Sequence, residues 1–245
     1  MPEATMSQLT LTSFNARWGL TVDDTPFDLP GVVERFDTDV VSLQEVWDPT
    51  EGGTSLPDEA ARLGYHVIHA PLSPSRVDPR PEITAHPHEA AGTWGLALLS
   101  RLPVRSTRVV DLGRLVERWD VAQRVAILAE LDVGGTPVTV AAIHLSFVLP
   151  NAAAQLRRLA GYLPEHQPSV VAGDCNLWGP VATAALPRHE RAVRGRTWPA
   201  HRPHSQLDHI LVSPDIEVVS SAVLRPAGSD HRPVQATLRP RADPG

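Results

Sequence analysis

Five times along this chain an apolar run stops at a side chain able to hold a metal ion or a phosphate. That recurrence restricts the possible folds more than any other feature of the sequence. The clearest instance is Val170-Val171-Ala172-Gly173-Asp174-Cys175-Asn176. Its first three residues are β-branched or small and apolar, and read as the end of a buried strand. Gly173 then reads as a tight turn of the backbone. Asp174 and Asn176 are two apart, and so point to one side of an extended chain. A carboxylate and a carboxamide thus stand together at the mouth of a sheet. The first can take a proton from water or hold a metal, and the second can orient an oxyanion. Taken alone, Gly-Asp-x-Asn equally describes a turn, since all three residue types favour turns. The other four runs argue against that reading. Leu9–Phe14 ends at Asn15, Val40–Gln44 at Glu45 and Val138–Ile143 at His144. Leu207-Asp208-His209-Ile210-Leu211-Val212 is followed by Ser229-Asp230-His231.

The remaining pattern fills in the architecture. Strands are predicted over 9–15, 39–45, 65–70, 94–99, 104–110, 124–133, 137–146, 169–176, 207–213, 216–224 and 233–238. Val104–Val110 is expected to be the hairpin partner of Trp94–Leu99, and Gly134-Gly135 joins the next two strands as a hairpin. Helices are predicted at Asp28–Phe36 and Leu56–Leu63, with Gly64 at the C′ position. A third starts at Asn151 as N-cap, with Ala152, Leu156, Leu159 and Leu163 on one face. Residues 71–93 are expected to form a long irregular loop. It holds His86-Pro87-His88, a poor metal site without a cysteine partner. Residues 179–206 are expected to be irregular and basic, with a helical turn near Ala182–Leu186. About ten strands and few helices, with no linker or repeat, predict one domain over 1–245 built on two sheets.

Composition removes several function classes. All 22 basic residues are arginine, so a Schiff-base lysine, a P-loop lysine and a lysine general base are impossible. The single cysteine, Cys175, excludes an intrachain disulfide and fits a reducing interior. No run of apolar residues is long enough to cross a membrane as a helix. The first residues lack the basic and apolar regions of a signal peptide. A cytoplasmic location is therefore expected, and no protein partner is evident. The net charge of −6 provides no global attraction for nucleic acid.

Taken in order, Phe14-Asn15, Leu43-Gln44-Glu45, Gly95–Arg101, Ile143-His144-Leu145, Gly173-Asp174-Cys175-Asn176, Leu207-Asp208-His209 and Ser229-Asp230-His231 span nearly the whole chain. In these motifs the chain resembles the endonuclease/exonuclease/phosphatase superfamily. That superfamily includes pancreatic-type deoxyribonuclease, apurinic-site endonucleases, inositol polyphosphate 5-phosphatases, neutral sphingomyelinases and tyrosyl-DNA phosphodiesterases. The resemblance implies an α+β fold: a DNase I-like, four-layer α-β-β-α sandwich of two packed mixed sheets, with its site at one edge.

Phosphoester hydrolysis needs charge neutralisation, an activated water and a protonated leaving group. The resemblance implies Mg²⁺, for which Mn²⁺ can substitute, held by Glu45 and Asp230 with Asn15 supporting that shell. It further implies that Asp174 orients or deprotonates water and that Asn176 binds phosphoryl oxygens. His231 would lie against the phosphate with Asp208 fixing its tautomer, and His144 near the leaving group. Some apurinic-site endonucleases carry an acid two residues after the asparagine. Here that position is Arg17, which weakens the likeness to that subfamily. Arg124 stands where deoxyribonucleases place a phosphate-binding arginine. Trp178 is read either as a stacking surface or as core. Arg188, Arg191, Arg194, Arg196 and Arg202, with Trp198 among them, suit nucleic acid or a solvated loop. The expectation is a Mg²⁺-dependent phosphodiesterase or nuclease acting on DNA or RNA. The alternatives are a phosphatase or phosphodiesterase for a small or lipid phosphoester, and a silent binding module.

Overall fold

Alternation decides where each strand's polar end points. In β1 (Leu9–Asn15), Leu9 and Leu11 belong to one apolar cluster and Phe14 to another, so odd positions face one way and even positions the other. β2 (Val40–Pro49), β3 (His66–Pro74) and β4 (Gly92–Ser100) follow, then β5 (Val104–Asp111), β6 (Val125–Val133), β7 (Thr136–His144) and β8 (Ser169–Asp174). The last four are β9 (Glu190–Arg191), β10 (Asp208–Val212), β11 (Ile216–Val223) and β12 (Val234–Pro240). The computed structural model describes residues 7–49, 55–74, 92–116, 120 and 122–241. Among them the strands form two six-stranded sheets, ordered β11-β12-β1-β2-β4-β3 and β5-β6-β7-β8-β10-β9. Each sheet is mixed, with a parallel pair inside it: β1 with β2, and β7 with β8.

Three apolar layers hold the sheets and helices together. Leu9, Leu11, Leu96 and Leu98 of the first sheet meet Ile127, Val140, Val170, Ala172 and Ile210 of the second. Outside the first sheet, α1 (Leu29–Phe36) and α2 (Leu56–Arg62) cover Phe14, Val41, Leu43 and Leu99. Outside the second, α3 (Leu149–Ala160) and α4 (Gly179–Ala185) cover Ile143, Val171 and Leu211. The layers run α-β-β-α, as expected. α1 starts where Asp28 accepts the Gly31 amide at 2.9 Å, and ends at Asp37 in the left-handed region.

Four local expectations are corrected. β5 pairs with β6 rather than β4, because β2 and β3 already occupy both edges of β4. Residues 71–74 and 92–93 continue β3 and β4, whereas His86 and His88 lie outside the described residues. Asn151 is no cap. It is buried within α3, accepts the Leu115 and Val116 amides and donates to the Val116 carbonyl. Gly173 lies inside β8 rather than in a turn, and a Cβ there would collide with the Ile143 carbonyl of β7.

Candidate active site

The period of two carries the site. In β1, β7, β8 and β10, Leu11, Ala142, Ala172 and Ile210 face the seam between the sheets. Asn15, His144, Asp174 and Asp208 lie in step with them at the site end of the same strands, and all four are buried. Register aligns three of these residues, since Asp174 pairs with His144 on one side and with Asp208 on the other.

Glu45 needs a different device. Leu43 and Val46 both pack under α1 and α2, so one extra residue separates them, and the ladder to β4 shifts there. This β-bulge turns Glu45 into the left-handed region, at φ 51°, and towards the seam. Gly95 on β4 pairs with Val46 just past the bulge, and a Cβ at that position would strike the Ala70 carbonyl of β3.

The result is one connected cluster. Asn15 Nδ2 donates to Asp174 Oδ2 at 3.1 Å and to Glu45 Oε1 at 3.3 Å. His144 Nε2 lies 3.7 Å from Asp174 Oδ2 and 3.9 Å from Glu45 Oε1. His231, from the β11–β12 loop, places Nδ1 2.9 Å from Asp208 Oδ2 and Nε2 3.8 Å from Asp174 Oδ2. Asn176 donates its backbone amide to Asp174 Oδ1 at 2.9 Å, and its Nδ2 to the Leu145 carbonyl at 3.0 Å. Its φ of 50° makes it the second left-handed residue of the site.

Electrostatics divides the two histidines. Burial alone would lower His231, but the Asp208, Asp174 and Asp230 carboxylates carry it up to about 10. It is a cation at neutral pH. His144 is held well below the usual imidazole value by burial, and then by the positive Arg124 and His231, so it is neutral. Burial lifts Asp174 to about 6, with His231 pulling it down and Asp208 adding to the lift. Burial likewise pushes Glu45 up to about 7, although 19 % of its side chain still reaches solvent. Burial, then the Asp174 and Asp208 carboxylates, hold the Cys175 thiol well above its usual value, so it is no nucleophile.

A divalent cation suits this donor set. Glu45, Asp174 and Asp230 gather hard carboxylate oxygens around one positive side chain, His231. Asp174, Asp208 and His231 also bring ligand atoms within 4.8 Å of one another. Within that group His231 Nδ1 already bonds Asp208 Oδ2 at 2.9 Å.

A model of the Endonuclease/Exonuclease/phosphatase family matches residues 12–231, a span that includes every residue of this cluster. The chain belongs to the endonuclease/exonuclease/phosphatase family. No curated protein matches its sequence. An endonuclease/exonuclease/phosphatase from Beutenbergia cavernae DSM 12333 is similar in structure, with a TM-score of 0.74 and 24 % identity over 96 % of this chain and 72 % of that one. The mannosyl-6-phosphatase Bt3783 of Bacteroides thetaiotaomicron VPI-5482 gives 0.69 at 16 % identity, covering 94 % and 99 %. The human Nocturnin catalytic domain, with a bound sulfate anion, gives 0.68 at 18 % identity over 94 % of each chain. These likenesses are of fold. Members of the family are phosphoesterases in general, typically with divalent metals.

The remaining sequence-derived candidates divide. Arg124 lies beside His144, but Asp120 holds its Nε at 3.1 Å and Nη2 at 3.3 Å, and its side chain is only 5 % exposed. Trp178 is no core residue, being 58 % exposed at the start of α4. Arg194 and Arg196 are exposed. Trp198 donates its indole N–H to Asp230 Oδ2 at 3.0 Å, a bond that sequence reading did not foresee. Arg188 is turned to the Glu165 carbonyl, at the far end of the second sheet from the site.

Gln44 was overlooked as a support. Fully buried, it donates to Ser42 Oγ at 2.9 Å and to Ser13 Oγ at 3.4 Å, joining the parallel strands under Asn15 and Glu45. Ser42 in turn donates to the Ala172 carbonyl at 3.0 Å, which fastens one sheet to the other. A polar pair inside an apolar strand was the available signal. Among the described residues, no helix is long and apolar enough to cross a membrane.

Proposed function

We propose that this protein is a Mg²⁺-dependent phosphoester hydrolase with its site at the seam between the sheets. The observation that carries the reading is the buried cluster of Asn15, Glu45, His144, Asp174, Asp208 and His231, held in contact across both sheets. Glu45 and Asp230 would hold Mg²⁺, Asn15 fixes the Glu45 carboxylate, and Mn²⁺ is a fitting substitute. A bound divalent ion supplies neutralisation of the phosphoryl charge.

The chain's own groups supply the proton chemistry. Asp174 is the general base that orients and deprotonates the attacking water. His231 is a fixed positive charge for the phosphoryl oxygens, oriented by Asp208, and the Asn176 amide gives a further polar contact. Neutral His144, 3.7 Å from Asp174 Oδ2, stands where it can take the water proton from Asp174 and return it to the leaving oxygen.

Two observations bear on the substrate. A polynucleotide needs several basic contacts beyond the scissile phosphate. Exposed Arg194, Arg196 and Arg202 support that reading, with Trp178 as a stacking surface. Arg124 is bonded to Asp120, Arg188 to Glu165, Arg191 to Gln206 and Trp198 to Asp230, which engages the other expected contacts within the protein. This favours the second reading, a small or lipid phosphoester with one phosphate at the metal.

Bis(4-nitrophenyl) phosphate, a 5′-mononucleotide and a short oligonucleotide, each assayed with Mg²⁺ and Mn²⁺, test the proposal. Chelation should abolish turnover and added Mg²⁺ should restore it. Full activity in protein shown metal-free by elemental analysis would sink the reading.

A further inference from the structure

His209 is a buried histidine beside the site that the mechanism above does not use. It follows Asp208 in β10, so the two side chains leave opposite faces of the sheet. Asp208 turns into the seam and bonds His231 Nδ1 at 2.9 Å. His209 turns outwards with Leu211, towards α4, and is fully buried there. Its register partner on β8 is Gly173, which offers no side chain on that face. His209 Nε2 lies 2.9 Å from the Leu177 carbonyl oxygen. A carbonyl only accepts, so the ring proton is on Nε2. Burial holds the imidazole below its usual value against the pull of the Leu177 carbonyl and of Asp208, so the ring is neutral.

Leu177 follows Asn176, the left-handed residue at φ 50°. A residue in that region keeps its conformation only where its neighbours hold it. Before it, the Cys175 amide donates to the Leu207 carbonyl at 2.9 Å. After it, His209 donates to the Leu177 carbonyl. Both flanks of Asn176 are thus bonded to residues 207–209, one through backbone and the other through a side chain. Asn176 gives one Nδ2–H to the Leu145 carbonyl at 3.0 Å, which leaves the second for a phosphoryl oxygen.

We infer that His209 is a positioning residue: it ties Leu177 to β10 and thereby aims the Asn176 amide at the phosphoryl oxygens. Adjacent residues of one strand then fix two groups of the site. Asp208 acts through the His231 imidazole, and His209 acts through the loop that carries Asn176. Because both anchors belong to one strand end, the spacing between cation and amide is set locally. The inference rests on the phosphoesterase reading and adds to it a residue that touches neither metal nor substrate.

The test uses the full chain with bis(4-nitrophenyl) phosphate and Mg²⁺. His209→Phe keeps a flat ring without the N–H, whereas His209→Gln puts an amide N–H near the place of Nε2. His209→Phe should lower kcat about tenfold and leave KM within about twofold, as expected of a contact made in the transition state. His209→Gln should bring kcat back to within about threefold of the unsubstituted enzyme. In an Asn176→Ala background, His209→Phe should cost about twofold or less, because the group it aims is gone. Equal losses in both backgrounds overturn the inference. So does a glutamine variant no better than the phenylalanine one at equal thermal midpoint. His209→Asn, too short to reach Leu177, replaces the phenylalanine variant should that one not fold. A second readout needs no turnover: the NMR signals of the Asn176 side-chain amide should move with His209→Phe and stay in place with His209→Gln. Signals that stay in place with both also overturn the inference. Absence of hydrolysis by the unsubstituted protein with Mg²⁺ sinks the phosphoesterase reading instead, and the NMR comparison still decides whether His209 places Asn176.

Discussion

At opposite ends of the second sheet stand two histidines, each 6 % exposed, and their surroundings have driven them apart. At the site end, His231 lies between Asp208 and Asp174 and is carried up to about 10. At the other end, His189 places Nε2 3.0 Å from Ser169 Oγ in the wall of a cavity of about 410 Å³, lined also by Leu163, Leu186 and Asp215. There burial, and then the Arg188 guanidinium, push it down to about 4. Burial acts in the same direction on both. Carboxylates reverse it at one end, whereas a hydroxyl and an arginine leave it in force at the other. A buried histidine is a lasting cation only where carboxylates surround it; otherwise it is a neutral hydrogen-bonding partner.

The largest test of this contrast is Asp174→Asn. It keeps the shape and removes the carboxylate that both site histidines face. Steady-state kinetics on bis(4-nitrophenyl) phosphate should show kcat falling about 10²-fold or more. His189→Gln in the same assay should cost about twofold or less. Comparable losses from the two would erase the distinction between the ends.

Asp208→Asn comes next. Without its closest carboxylate, His231 should titrate about one to three units lower in an NMR titration. Kinetically, Asp208→Asn and His231→Ala should be non-additive, the double variant being scarcely worse than the poorer single one. Independent, multiplying losses would show that the 2.9 Å contact does not matter for turnover.

Stability against pH probes the other end. His189 titrates lower when folded than unfolded, so below pH 6.5 the unfolded chain binds more protons. Its contribution is present in full above 6.5 and is lost as pH falls towards about 4. Urea unfolding at pH 7, 5.5 and 4.5 should reveal this as a loss of at most about 3 kcal/mol from His189. His189→Gln should flatten the slope in that window. The smallest effect expected is that of Trp198→Phe, which deletes one indole N–H from Asp230. The Mg²⁺ concentration for half-maximal activity should rise up to about tenfold. No rise would mean that the bond does not orient the ligand.

Much of the site was legible because its signals are local. A strand's period of two, read to its last inward residue, leads from Leu11 to Asn15 and from Ala172 to Asp174 without knowledge of the partner strands. The same reading fails at Glu45, where strict alternation would turn the side chain under α1, and only the bulge corrects it. Asn151 was misread for a related reason. Its spacing suits a cap, yet its partners, Leu115 and Val116, lie some 35 residues away. β5 was assigned to the wrong sheet because hairpin signals are short-range, whereas the saturation of both edges of β4 is not. Exposure on the loops is invisible to periodicity altogether. Trp178 stays open between a stacking surface and core until it is seen to stand 58 % exposed.

The position of β12 has a consequence in time. It lies between β11 and β1, so β1 keeps an open edge until this late strand docks, and Asp230 and His231 arrive with it. A chain emerging from the ribosome already holds Asn15, Glu45, His144, Asp174 and Asp208 before it has either of those last two side chains. Asp230 and His231 therefore reach the site only when β12 docks, and the same step completes the core through Val234, Ala236 and Leu238. Activity regained during refolding would be a clock for that step alone.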